Sequence, residues 1–270
     1  GGFNNQGSAA IVNDNFNVPL GTNILIEDVF DKETSSAFEV GIKGSVLDGR
    51  ITFDLAGYYT DVDDLQFFEF FVGTFGLLRV VSNVDDVQIY GAELNLNAEI
   101  IEGWNIFGSF NVTESEIQAN SSRPETVGNE SPATADYTIN LGTQIVAPIN
   151  DSLDLNFRAD YRITGPTFFH TVQDEVGPTL FNALLPMSAL APFTVPADGN
   201  RDFSATEREA FGVLDIRFGI SSENWNLTAF ADNLLNREYL NEVIPAAEFG
   251  GSFIAPGGLR RIGLEFGYNF

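Results

Sequence analysis

Residues 89–100 read IYGAELNLNAEI. Tyr90, Ala92, Leu94, Leu96, Ala98 and Ile100 alternate with Gly91, Glu93, Asn95, Asn97 and Glu99. Successive side chains of a strand point to opposite sides, so a period of two makes one apolar face and one polar face. Residues 152–163 behave alike, with Leu153, Leu155, Phe157, Ala159, Tyr161 and Ile163 against Asp154, Asn156, Arg158, Asp160 and Arg162. The C-terminus repeats the pattern: Ile262, Leu264, Phe266, Tyr268 and Phe270 oppose Arg261, Gly263, Glu265, Gly267 and Asn269. Helical periodicity is scarce. The chain reads as all-β, with strands predicted at 37–46, 51–71, 79–100, 104–117, 135–147, 152–168, 211–220, 225–233 and 259–270.

The connections decide which kind of β-protein this is. Leu47-Asp48-Gly49-Arg50 is a tight turn, and so are the junctions near 101–103, 148–151 and 221–224. Between them lie long connections at 118–134, 169–210 and 234–258. Alternation of short and long predicts an antiparallel transmembrane β-barrel, with short periplasmic turns and long external loops. Strands 51–71 and 79–100 exceed the usual length of about 5–6 residues and suit a large barrel. Trp104 and Trp225 each follow a short turn, on the apolar face with Ile106 or Leu227, where an aromatic girdle belongs. The same alternation also fits a soluble sandwich, whose apolar face packs on a second sheet with each Trp closing the core.

Composition narrows the function. Among 270 residues, 38 Asp and Glu outweigh 13 Lys and Arg for a net charge of −25, which argues against a nucleic-acid partner. A hydrophobic content of 44% with 25 Phe excludes disorder. The absence of Cys excludes disulfides, Cys-bound zinc and thiol nucleophiles. No apolar run of about 18 residues marks a membrane helix, but a membrane strand needs only about 9–11 alternating residues. A mean hydropathy of +0.01 is blind to those. The chain opens at Gly1-Gly2-Phe3-Asn4 without a Met or a signal peptide, and is expected to be part of something longer.

At this point the residues resemble a family. PGGLRRIGLEFGYNF (256–270) looks like the terminal strand of TonB-dependent outer-membrane receptors, with Pro-Gly, an Arg-rich entry and alternation to a final Phe. NLLNREYL (233–240) resembles the segment after their penultimate strand, although Leu235 replaces the usual aromatic and Asn236 the usual Asp. AFEVGIKGSVLDGRITFDLAGYYTDVDDLQ (37–66), GAELNLNAE (91–99) and GGFNNQG (1–7) resemble further family segments in the right order. The resemblance implies a barrel of about 22 strands with a plugged lumen. Residues 1–270 would be its C-terminal portion, nine to ten strands without the plug. It implies the outer membrane of a Gram-negative bacterium and active, TonB-dependent uptake of a nutrient, foremost a ferric siderophore. The partners implied are outer-membrane lipid, the TonB complex through the missing plug, the barrel-assembly machinery and a small nutrient ligand. A passive porin-like or structural barrel, and a soluble secreted carbohydrate-binding sandwich, stand as alternatives.

No enzyme, metal site or cofactor is expected. His170 is the sole His, which leaves little for a triad or a His-based metal site. It could serve an omptin-like protease, but no such motif is present. Asp61, Asp63 and Asp64, like Asp85 and Asp86, lack the spacing of a calcium loop and read as solvated shoulders. Arg260 and Arg261 could hold an anion or lipopolysaccharide phosphate; with Arg261 toward the lumen, pairing with acidic wall residues is expected. The aromatic clusters at the external strand ends are the candidate ligand contacts: Phe67, Phe68, Phe168 and Phe169, with His170. Exposed Phe must pack on other loops, on a plug or on a ligand. The apolar loop 169–210 adds Leu180, Phe181, Leu184, Leu185, Met187, Leu190 and Phe193. Tyr268 and Phe270 resemble the terminal aromatic signal read during barrel assembly.

Overall fold

A computed structural model of the protein describes residues 1–18, 24–73, 75–173, 176–178, 200–202, 207–246 and 251–269. Nine strands form one antiparallel sheet in chain order. They are β1 Thr34–Val46, β2 Ile51–Gly73, β3 Gly76–Ile101, β4 Trp104–Ala119 and β5 Tyr137–Asn150. β6 Leu153–Thr164, β7 Phe211–Ser221, β8 Trp225–Asp232 and β9 Arg261–Tyr268 complete it. The sheet is open, with β1 and β9 at its edges. Each predicted strand corresponds to one of the nine, and Gly2–Phe3 adds a short antiparallel pair with Val29–Phe30 just before β1.

Register turns the alternation into rows. Ile42, Leu55, Leu94, Phe110, Ile139 and Ile163 face one another across six strands. The neighbouring row on the other face is Lys43, Asp54, Asn95, Ser109, Asn140 and Arg162. The apolar rows stay exposed, with Ile262 and Leu264 at 71% and 75%. All nine strands lie in one sheet and the other described sheets are two-stranded, so this face is an exposed apolar surface of the kind a transmembrane barrel presents. Fully buried apolar side chains such as Val12, Phe71, Val84 and Ile117 lie instead at the ends away from the short turns.

The aromatic residues mark the bilayer. Trp104 pairs with Ile101, and Trp225 with Tyr268, beside the short turns. At the other edge Tyr59 pairs with Tyr90 on the same apolar face. From Ile101 to Tyr90 the strand runs about 36 Å, which a tilt near 45° turns into a height of about 25 Å, matching a lipid-facing band. The opposite face is laced by ion pairs, among them Arg162–Asp215 at 2.8 Å and Arg261–Asp232 at 2.7 Å. Arg261 thus finds the acidic wall partner expected of it, while Arg260 bonds through its backbone N–H to Asn236.

Three expectations change. The β2–β3 connection, on the side of the long loops, is short. Both strands run on as a paired arm to Gly73 and Gly76, about fourteen residues beyond the Tyr59–Tyr90 pair, so short and long connections do not strictly alternate. The predicted strand 152–168 stops at Thr164, because Thr167–Phe168 turns away to pair with Glu207–Arg208. The stretch read as the loop 234–258 contains a hairpin, Leu240–Ala246 against Gly251–Pro256. Pro245 inside it hides the strand signal. The turn at 47–50 is tight as expected: Leu47, Asp48 and Gly49 have φ of 54°, 57° and 88°, and the last of these requires glycine.

Orientation can be checked directly in the Cys-free background. In intact cells making the complete protein, Cys placed at Val127 is expected to react with an impermeant maleimide. Cys at Asp151 should react only after the periplasm is opened. Surface reaction at residue 151 would reverse the assignment.

Candidate functional site

The arm positions the site. FFEFF (67–71) continues β2 beyond the membrane, alternating so that Glu69 and Phe71 are buried while Phe68 is partly exposed. Val12, Ile24 and Ile26 pack on Phe71, Leu78 and Val80 of the arm. Asn4 clasps it as well, its side-chain amide donating to Val81 O and accepting from Val81 N, both at 2.8 Å. Nearer the membrane, Val62, Val84, Val87 and Ile117 form a second core, with Phe67 against it.

Glu69 is the arm's buried charge. Arg123, from the loop after β4, donates to it twice at 2.7 Å. Burial pushes the Glu69 carboxyl up, but the charge and hydrogen bonds of Arg123, with His170 nearby, outweigh it and hold it below its ordinary value. Asp64, at φ 57°, is pushed above its ordinary value by burial and by Asp31, Asp85 and Asp63. Ser121 donates its N–H to Asp85. The acidic shoulder is therefore crowded, yet among the described residues no cluster of side chains is arranged to hold a metal ion.

Four of the five sequence-predicted aromatic site residues meet. Phe67, Phe68, Phe169 and His170 line one cavity of about 230 Å³ with Phe70 and the hairpin residues Glu242, Val243 and Ile244. The Phe67 and His170 rings stand edge to face, 5.4 Å between centroids. Val172 donates its N–H to His170 Nδ1 at 3.0 Å, which directs the ring proton to Nε2. Arg79 lies 4.6 Å from the Phe68 ring centroid. Phe168 is not part of this lining; it pairs with Glu207 and accepts a hydrogen bond from Ala133 N at 2.7 Å. Tyr268 lies on the apolar face beside Trp225. Phe270 lies outside the described residues, as do Leu180, Phe181, Leu184, Leu185, Met187, Leu190 and Phe193.

The cavity floor is clipped to a neighbouring loop. Gln173 accepts from Glu130 N at 3.0 Å and donates to Glu130 O at 2.7 Å, and Asn129 donates to Thr171 O at 2.9 Å. Burial, then the charge and hydrogen bond of Asp136, then Glu114 and Glu207, push the Glu130 carboxyl up to about 7. A raised carboxyl contributes stability that is fully present below its unfolded value near 4.5 and is lost as pH rises through about 7. Amide exchange at residues 128–131, corrected for its intrinsic pH dependence, should therefore quicken across that window. Glu130→Gln should abolish this excess, and an unchanged pH response in the variant would refute the assignment.

A family model described as "TonB dependent receptor-like, beta-barrel" matches residues 2–234. The chain belongs to the TonB-dependent receptor family. That is a receptor and transporter family rather than an enzyme family, and its setting is the outer membrane of Gram-negative bacteria. The chain is 31% identical over 87 residues to the ferric-pyoverdine 358 receptor of Pseudomonas putida, a match covering 32% of this chain and 11% of that protein. Its fold is similar to that of the ferric yersiniabactin uptake receptor FyuA of Yersinia pestis, with a TM-score of 0.65 and 19% identity over 89% of this chain and 30% of the other. The copper transporter OprC gives 0.60 and 18% over 90% and 32%. The chain thus spans about a third of the receptor structures it resembles. Within this TonB-dependent receptor wall, sequence reading missed Glu69, Arg123 and the hairpin residues at the cavity. The hairpin carries a signal in two apolar runs, 243–244 and 253–254, flanking the turn-like Gly250-Gly251.

Proposed function

We propose that residues 1–270 are the C-terminal portion of a barrel of about 22 strands that imports a ferric siderophore in a TonB-dependent manner. The observation that carries this reading is the aromatic cavity at the outer mouth, above a wall whose inner face is polar and ion-paired. A flat, partly apolar chelate buries area against Phe68 and Phe169, while the polar wall leaves a wet path inward. The names of the P. putida and Y. pestis relatives support iron chelates as cargo. A preceding plug would fill the lumen and contact the TonB complex. Lipid covers the apolar rows, and the barrel-assembly machinery inserts the wall.

The test is uptake of radiolabelled ferric siderophores by cells making the complete protein, with and without TonB. Uptake that needs TonB is expected; uptake indifferent to TonB would favour a passive barrel. Within the same assay, Phe68→Ala and Phe169→Ala should each weaken affinity roughly 10- to 100-fold, since each buried Phe contributes on the order of 1.5–3 kcal/mol. Phe168→Ala, off the cavity, should leave affinity unchanged. If the first two variants bind normally at normal surface levels, the rings pack only on their own loops and the site lies elsewhere.

A further inference from the structure

The cavity at the mouth has a sign. Its walls are the rings of Phe67, Phe68, Phe70 and Phe169 with the His170 imidazole, and its acidic lining residue is the exposed Glu242; no Lys or Arg is among the described lining. Aromatic faces carry the negative end of the ring quadrupole and attract cations. The surrounding chain is acidic too. Residues 61–86 hold six Asp or Glu against one Arg, and residues 113–136 hold five against one. Arg123 is paired with Glu69, whereas Arg79 keeps its charge over the Phe68 ring, so the acids of these two stretches still outnumber the cations. Arg208, the nearby cation, donates to Thr167 Oγ1 at 2.7 Å and to Asn241 O at 3.1 Å, with its guanidinium over Phe169 and Phe211.

We infer that this site selects its cargo by charge: it takes a chelate that presents a cationic group, an ammonium or guanidinium, beside an apolar face, and it turns away polyanionic chelates. This rests on reading the cavity as the ligand site of an importer. A mouth lined by one sign of charge concentrates ligands of the other and repels its own, changing association by about 10- to 1,000-fold at low salt. The effect fades as the Debye length shortens, from about 30 Å at 0.01 M to about 8 Å at 0.15 M. Phe67, Phe68 and Phe169 supply contact area for either sign and some attraction for a cation, so most of the discrimination falls to Glu242 and to the acidic stretches 61–86 and 113–136.

The experiment uses the full-length receptor in detergent and two probes of matched shape, benzyltrimethylammonium and benzylsulfonate, read by saturation-transfer NMR. At about 20 mM NaCl the cation should bind at least tenfold more tightly, and the ratio should shrink at about 300 mM. Glu242→Gln should cut cation binding roughly 3- to 10-fold with the thermal melt unchanged. Equal or tighter binding of the anion at low salt overturns the inference. So does binding of neither probe, or a preference that neither salt nor Glu242→Gln reduces. Uptake separates this from import itself. TonB-dependent uptake of polyanionic ferric chelates as efficient as that of cationic ones overturns charge selection and leaves import standing. A cation preference in the purified protein, with no iron uptake of any kind, supports charge selection and removes the import reading.

Discussion

Leu94→Arg is expected to destabilise the membrane-inserted barrel by ~2–4 kcal/mol, whereas Asn95→Arg, one residue along the same strand, should cost less than about 1 kcal/mol. The two positions share a depth and differ in the face they present. Leu94 lies inside the span from Tyr90 to Ile101, in the apolar row with Leu55 and Phe110, so an arginine there should meet hydrocarbon. Asn95 lies between Asp54 and Ser109 on the ion-paired face, where a guanidinium reaches water and the Asp54 carboxylate. Reversible unfolding of the complete barrel in lipid vesicles measures both. Equal costs would mean that lipid does not define the apolar face.

Arg123→Ala should weaken the closure of the 120–128 loop over the arm by ~3–5 kcal/mol, while the membrane wall melts nearly as before. The side chains of Arg123 and Glu69 are 9% and 5% exposed, so removing the guanidinium strands a buried carboxylate. The pH response should change sign. In the parent, the lowered Glu69 carboxyl contributes stability above its unfolded value near 4.5, and this is lost as pH falls through its folded value. In Arg123→Ala, burial is opposed only by His170, the carboxyl rises, and acid should stabilise the loop instead. Replacing both partners by apolar residues, Arg123→Met with Glu69→Leu, should recover most of the loss, because neither charge then needs burial. Hydrogen exchange at residues 120–128 reads the parent and both variants. If the single and double variants open equally, the ion pair is not what closes the loop.

The wall was legible because a strand with one apolar and one polar face, as a barrel wall requires, carries a period of two. IYGAELNLNAEI (89–100) carries that constraint without interruption. Where it lapses, so does the reading. FFEFF (67–71) lies past the bilayer, packed by helical residues 8–12 on one side and by other loops elsewhere, so its rings do not alternate with polar residues. The hairpin of Leu240–Ala246 and Gly251–Pro256 forms a sheet of its own outside the nine strands, and three of its residues line the cavity, so the alternation of the wall does not extend to it. The gathering of Phe67, Phe68, Phe169 and His170 could be anticipated, since all belong at external strand ends. The partner of Glu69 could not, because Arg123 lies 54 residues away and no local spacing links the two.

The clasp made by Asn4 has a consequence for the order of assembly. Every strand of the wall pairs with its neighbour in sequence, so the sheet can grow by adding one hairpin after another, with small closing loops at each short turn. Asn4 reaches Val81 across 77 residues, and Glu69 reaches Arg123 across 54. Neither contact can form until the arm between them stands, and each must then overcome the entropy of a long closed loop. The wall should therefore gain protection against exchange early, and the mouth should set last. A chain caught midway through insertion would already have its wall paired, with the arm's long-range contacts still unmade.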